Sequence, residues 1–153
     1  MMSDASELCQ YVRSASEPDL DRVLEIEQAC FVDQWDYTQF KAALKDIFLV
    51  YEKRKIAGFI TACYCQLAKK GIILRIAVEP SQRGKGIAKA LLTEALTKLH
   101  DYDIMDVELS VDIVKNGAIK LYEKFGFRVM QVVSMNYNNA NESFYIMKLN
   151  LTK

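Results

Sequence analysis

Ile72-Ile73-Leu74-Arg75-Ile76-Ala77-Val78, then Pro80-Ser81, then Arg83-Gly84-Lys85-Gly86-Ile87-Ala88, is the run of the 153-residue chain on which the fold turns. The first seven residues read as a largely buried strand closed by Pro80 and Ser81. Beyond the glycines, Ile87, Leu91, Ala95 and Leu99 fall four apart, with Ala88, Leu92 and Leu96 beside them, which is the stripe of an amphipathic helix. A strand, a glycine turn and a helix start in succession make an anion cradle. The unpaired N–H groups of the first helical turn and the positive end of the helix dipole converge there, and glycine lets a ligand approach the backbone. A phosphate group is the natural occupant.

The spacing excludes two phosphate motifs. No G-x-x-x-x-G-K-[ST] occurs, and G-x-G-x-x-G fails because Lys89 stands where its third glycine belongs. Arg83, Gly86 and Ala88 instead match R-x-x-G-x-A, although the six residues read equally as an ordinary glycine turn. A second string follows one helix and one strand later: Ala118-Ile119-Lys120-Leu121-Tyr122-Glu123-Lys124-Phe125-Gly126-Phe127. It forms a short helix with Ala118, Leu121, Tyr122 and Phe125 on one face and Gly126 as a left-handed cap.

Both strings, in this order and spacing, resemble the GNAT N-acetyltransferase superfamily over nearly the whole chain. The resemblance implies a single acetyltransferase domain over residues 1–153, with acetyl-CoA as cofactor. Its diphosphate would be held by the backbone of Arg83, Gly84, Lys85, Gly86, Ile87 and Ala88, and its pantetheine by Ile76, Ala77 and Val78. It further implies that Tyr122 protonates the departing thiolate. Many members carry an asparagine seven residues before that tyrosine; here Lys115 fills the slot and Asn116 follows, serving either as the cofactor contact or as the N-cap of the helix. Glu108 and Glu79 are the candidate bases, each of which also reads as a solvated or ion-paired residue. Ile26-Glu27-Gln28, and Asn136-Tyr137 followed by Tyr145-Ile146-Met147, resemble the ribosomal-protein alanine N-acetyltransferase subgroup; Phe31, Asp33, Trp35 and Tyr137 are the candidate acceptor residues, and Trp35 reads equally as an anchor of the second helix to the core.

Composition bounds the rest. About half the residues are hydrophobic, enough for a proper core, and Lys+Arg equals Asp+Glu at 20 each, which argues against broad binding to nucleic acid or anionic membranes. No apolar run approaches the roughly 18–20 residues of a membrane span, and the acidic start Met1-Met2-Ser3-Asp4 lacks a signal-peptide pattern, so a cytoplasmic protein is expected. Cys9, Cys30, Cys63 and Cys65 form no C-x-x-C pair, and His100 is the single histidine, so no metal site is expected.

Along the chain, strands are expected at 8–14, 47–52, 56–66, 72–78, 105–111, 128–137 and 143–149. Helices are expected from Pro18 to Cys30, over 37–45, from Ile87 to His100 and around Tyr122. Lys53-Arg54-Lys55, Lys69-Lys70-Gly71 and Asn138-Asn139-Ala140-Asn141 read as turns. The order β-α-α-β-β-β-α-β-α-β-β is an α/β (α+β) mixed sheet flanked by helices, and in the resembled fold its two central parallel strands splay apart. The expected function is acetyl transfer from acetyl-CoA directly to a primary amine, on a protein or a small metabolite, by a monomer or homodimer. The alternative is a non-catalytic acyl-CoA-binding regulatory module.

Overall fold

The computed structural model describes residues 7–137 and 140–152. Seven strands form one sheet: β1 (Val12–Ser14), β2 (Ile47–Glu52), β3 (Ile56–Cys65), β4 (Lys70–Val78), β5 (Asp106–Asp112), β6 (Arg128–Tyr137) and β7 (Ala140–Asn150). Their spatial order is β1-β2-β3-β4-β5-β7-β6. The β4–β5 pair is parallel and every other neighbouring pair is antiparallel. Four helices flank it: α1 (Leu20–Cys30), α2 (Tyr37–Ala43), α3 (Ile87–Asp101) and α4 (Asn116–Lys124).

Alternation along β2 sorts the two faces. Ile47, Leu49 and Tyr51 join the core built on α3 and Tyr122 of α4, whereas Phe48 and Val50 join the core built on Leu20, Val23 and Ile26 of α1 and Phe40 of α2. Leu91, Leu92 and Leu99 are fully buried under α3, each stabilising by about 1.5–3 kcal/mol. Between Thr61 and Ala62 the β3–β4 register slips: Thr61 faces Arg75 and Ala62 faces Ile73, so Leu74 is bulged out. The bulge turns Arg75 to the α1 face, although Ile73 two residues earlier lies in the α3 core.

Several expected boundaries move. Residues 7–9 form a helical turn, so the first strand is only Val12–Ser14. Leu8 packs against the α3 side, a tertiary contact that overrides local strand propensity. The first helix opens as a 3-10 turn, Glu17–Asp19, where the Asp19 carboxylate accepts the Ser16 N–H at 2.8 Å. Lys70 and Gly71 belong to β4, because they pair with Cys65 and Tyr64 on β3 and with Asp106 and Val107 on β5. Of the expected turn after Tyr137, Asn138 and Asn139 lie outside the described residues.

Candidate active site

After β4 the chain makes a 3-10 turn, Pro80–Gln82, and then passes through Gly84 at φ +81° and Gly86 at φ +89° before α3 begins. Left-handed backbone at both positions is what favours glycine. Among the described residues, no backbone or side-chain acceptor takes the N–H groups of Gly84, Lys85, Gly86, Ile87, Ala88 and Lys89; the first helical bond runs from Ala90 to the Gly86 carbonyl at 3.0 Å. Six free donors at a helix N-terminus fit a diphosphate. The loop's side chains serve the loop itself. Arg83 Nε donates to the Val78 carbonyl at 3.1 Å, with Arg83 Nη2 3.2 Å from Cys30 Sγ, and Lys85 Nζ donates to Gln82 Oε1 at 3.1 Å. Ile87 is buried in the core. Beside the loop, α3 and α4 enclose a groove of about 370 Å³ whose lining includes Lys89, Lys120 and Lys124.

The β4–β5 ladder has only three rungs, Lys70–Asp106, Gly71–Val107 and Ile72–Glu108. Beyond Ile72 the parallel strands are unpaired, which leaves a splay whose apex is at Glu108. The Glu79 N–H donates to the Ala57 carbonyl at 2.8 Å. Antiparallel alternation then directs Ala77 at Phe59 on β3 and leaves Ile76 and Val78 facing the splay. The Val78 carbonyl is held by Arg83 and by the Cys30 thiol at 3.4 Å; its N–H remains for a ligand.

Tyr122 sits on the inner face of α4, 5% exposed, edge-on to Phe127 with ring centroids 6.0 Å apart. Its hydroxyl makes no hydrogen bond to another described residue, and burial pushes its pKa up to about 12. The N-cap of α4 is Lys115, not Asn116: Asn116 is the first helical residue, and the helix's first bond runs from Ile119 to the Lys115 carbonyl at 3.0 Å. The Lys115 ammonium lies over the Phe31 ring, 5.4 Å from its centroid.

The two candidate bases differ in setting. Glu108 is on β5 beside Lys148, with 3.8 Å between Oε1 and Nζ and its side chain 39% exposed. Glu79 is engaged by Arg22 and accepts from the Ser81 hydroxyl at 2.8 Å. The Arg22 guanidinium, then the Ser81 hydroxyl, hold its carboxyl below the ordinary range, so it is poorly suited to take up a proton.

Of the candidate acceptor residues, Phe31, Asp33 and Trp35 gather around Arg75. Its guanidinium carbon is 4.1 Å from the Phe31 centroid and 5.5 Å from that of Trp35, and Nη2 donates to the Asp33 carbonyl. Tyr137 closes β6, and the placement of its side chain lies outside the described residues. Sequence reasoning missed Glu27 as a site residue. It is fully buried, with Oε2 accepting from Arg75 Nη2 at 2.6 Å and from the Trp35 N–H at 2.9 Å, while Oε1 has no partner among the described residues. A carboxylate on the apolar face of α1 and a cation inside the apolar run 72–78 were the available signal.

Residues 14–127 match the acetyltransferase (GNAT) family. The chain is 25% identical to the N-alpha-acetyltransferase of Saccharolobus solfataricus, over 90% of this chain and 91% of that protein. It is 28% identical to the ribosomal protein bS18-alanine N-acetyltransferase of Haemophilus ducreyi, over 92% and 99%. Among solved structures, Arabidopsis thaliana NAA60 in complex with acetyl-CoA superposes with a TM-score of 0.81 at 20% identity, over 93% of this chain and 98% of that one. Among the described residues, no helix is long and apolar enough to cross a membrane. By its match over three-quarters of its length, the chain belongs to the GNAT acetyltransferase family and is an N-acetyltransferase.

Proposed function

We propose that residues 1–153 act as one domain that moves an acetyl group directly to a primary amine, with no acetyl-enzyme intermediate, and that the acceptor is the N-terminal amine of a protein. Acetyl-CoA, when bound, supplies an activated thioester. The N–H groups from Gly84 to Lys89 grip its diphosphate, and the Ile76 and Val78 backbone lines the splay that admits the pantetheine. The Val78 N–H polarises the acyl carbonyl, a fixed donor aimed at developing charge. Tyr122, neutral at working pH, donates to the departing sulfur. Glu108 is the nearest carboxylate to the apex and takes up the amine proton, directly or through water. The single observation carrying this reading is the row of six unpartnered N–H groups beside an unzipped parallel strand pair.

Three features support a protein N-terminus. Glu108 is partly exposed and ion-paired, so it suits an acceptor that needs little help losing its proton. An α-amine, with a pKa of about 7.7–8.0, is such a group, whereas a lysine amine near ~10.4 is not. The relatives in Saccharolobus and Haemophilus also carry names for N-terminal acetylation. The acceptor side is an open sheet face rather than a closed acidic pocket: Ser110 on β5 is exposed, and Phe31 and Trp35 border the face from the loop after α1.

Thiol release from acetyl-CoA, followed with peptides bearing free N-termini, lysine side-chain amines and diamines, tests the proposal. Turnover on N-terminal amines, with a rate rising through about pH 8, is expected. Acetyl-CoA binding without turnover on any amine would identify a non-catalytic acyl-CoA module instead.

A further inference from the structure

We propose that Arg75, locked to Glu27, is a positioning residue that sets acceptor recognition by holding the loop 31–36 over the lip of the β4–β5 splay. The inference rests on the reading of that lip as the acceptor entrance.

The loop between α1 and α2 has no strand or helix of its own. Trp35 packs on Phe40 of α2, with ring centroids 5.2 Å apart, and Gln34 Nε2 donates to the Phe31 carbonyl at 3.1 Å; the tie from the loop to β4 is one ion pair. Glu27 Oε2 collects Arg75 Nε at 3.1 Å, Arg75 Nη2 at 2.6 Å and the Trp35 N–H at 2.9 Å. The same guanidinium donates to the Asp33 carbonyl and stacks on Phe31, 4.1 Å from its centroid. Residues 31, 33 and 35 are therefore all tied to a single side chain of β4. The β-bulge at Leu74 makes this possible, because regular alternation from Ile73 would bury Arg75 in the α3 core.

The pair is also the wrong choice for stability alone. Glu27 is fully buried and its Oε1 has no partner among the described residues, and apolar residues of similar volume generally serve a core as well as a buried ion pair. A planar, multidentate guanidinium is suited to holding several groups in one plane. Phe31 is met from the other side of the splay by Lys115, 5.4 Å from its centroid. The ring thus spans the gap between β4 and the β5–α4 junction. An incoming amine must pass this ring and Trp35. Among the described residues, no hydrogen bond or ion pair joins Gly84–Lys89 to Glu27 or Arg75, so acceptor and donor binding can be tested separately.

Trp35 is the chain's single tryptophan, so its emission reports the loop without an assay of turnover. The variants are Arg75→Lys, Arg75→Gln and the double variant Glu27→Gln/Arg75→Gln, which removes both charges together and keeps the core uncharged. The probes are a hexapeptide with a free N-terminal alanine and cadaverine. In Arg75→Lys, which restores the charge but not the fork or the stacking, and in the double variant, Trp35 emission is expected to shift to the red with increased acrylamide quenching. The KM for whichever probe the parent protein acetylates should rise about tenfold or more, with acetyl-CoA affinity by calorimetry within about twofold of the parent. If neither probe is turned over, the quenching of Trp35 decides. Parent-like quenching and KM in Arg75→Lys would overturn the proposal, leaving Arg75 a neutraliser of Glu27. Equal losses of acetyl-CoA and acceptor binding would also overturn it. Failure of the parent protein to bind acetyl-CoA would instead count against the acetyltransferase mechanism.

Discussion

Tyr122 carries a hydroxyl that burial keeps protonated, with its pKa pushed up to about 12. A thiol leaves with a pKa near ~8.5, so outright proton transfer from this phenol is uphill by roughly 3.5 units, or about 5 kcal/mol. In the proposed mechanism Tyr122 would therefore act by hydrogen bonding to charge as it builds on sulfur. Tyr122→Phe should lower kcat by ~100-fold while the acetyl-CoA dissociation constant, measured by calorimetry, changes by less than about twofold. The pH dependence has a defined sign. The folded-state value lies above the unfolded value near ~10, so the tyrosine's contribution to stability is complete below pH 10 and is lost as pH rises towards 12, by about 2–3 kcal/mol in all. Urea denaturation of parent and Tyr122→Phe between pH 9 and 11.5 checks this: the parent should lose the difference and the variant should not. The tyrosine was legible from its motif. Its isolation from hydrogen-bond partners was not, because that depends on Phe127 and the α3 core closing around the ring.

The glycine loop is decided at the level of the strand–turn–helix element. Gly84 and Gly86 share left-handed backbone but differ in surroundings. A Cβ at Gly84 would meet nothing within 4 Å, whereas one at Gly86 would lie 3.1 Å from Leu8 Cδ1. Gly84→Ala should thus cost about 1–2 kcal/mol of backbone strain and weaken acetyl-CoA binding by disturbing the donor row. Gly86→Ala should destabilise more, because Leu8 must also move; urea denaturation and calorimetry separate the two effects. Unchanged acetyl-CoA affinity in Gly84→Ala would remove the loop as the diphosphate grip. The same element shows how far local pattern reaches. β4, the glycine turn and α3 were readable because their signals are local: an apolar run, two glycines and a stripe four residues apart. The bulge at Leu74 was not, since it arises from register with β3. Nor was the role of residues 7–9, where the Leu8 contact replaces an extended segment. Nor was the contact of the α4 cap residue Lys115 with Phe31, a residue 84 positions away in the chain.

At the scale of the whole molecule, the sheet is two pieces, β1 to β4 and β5-β7-β6, joined by three rungs and by the common core under α3. This division has no trace in hydrophobic periodicity, because β4 and β5 are equally apolar whether paired or splayed. It has a thermodynamic consequence. A ligand seated between β4 and β5, with its diphosphate on the start of α3 and its nucleotide end in the groove of Lys89, Lys120 and Lys124, binds both pieces and only in the folded state. At a hundredfold excess over its dissociation constant, acetyl-CoA should stabilise the fold by about 2.7 kcal/mol. For a chain of this length that is a rise in melting temperature of roughly 5–10 °C. Dephospho-CoA lacks the 3′-phosphate that the three lysines attract and should need a higher concentration for the same shift. Inorganic pyrophosphate occupies only the loop and should give a small one. Scanning fluorimetry with the three ligands orders them. If pyrophosphate alone reproduced the full rise, the splay would contribute nothing to binding, and the division of the sheet would be a feature of folding rather than of the cofactor site.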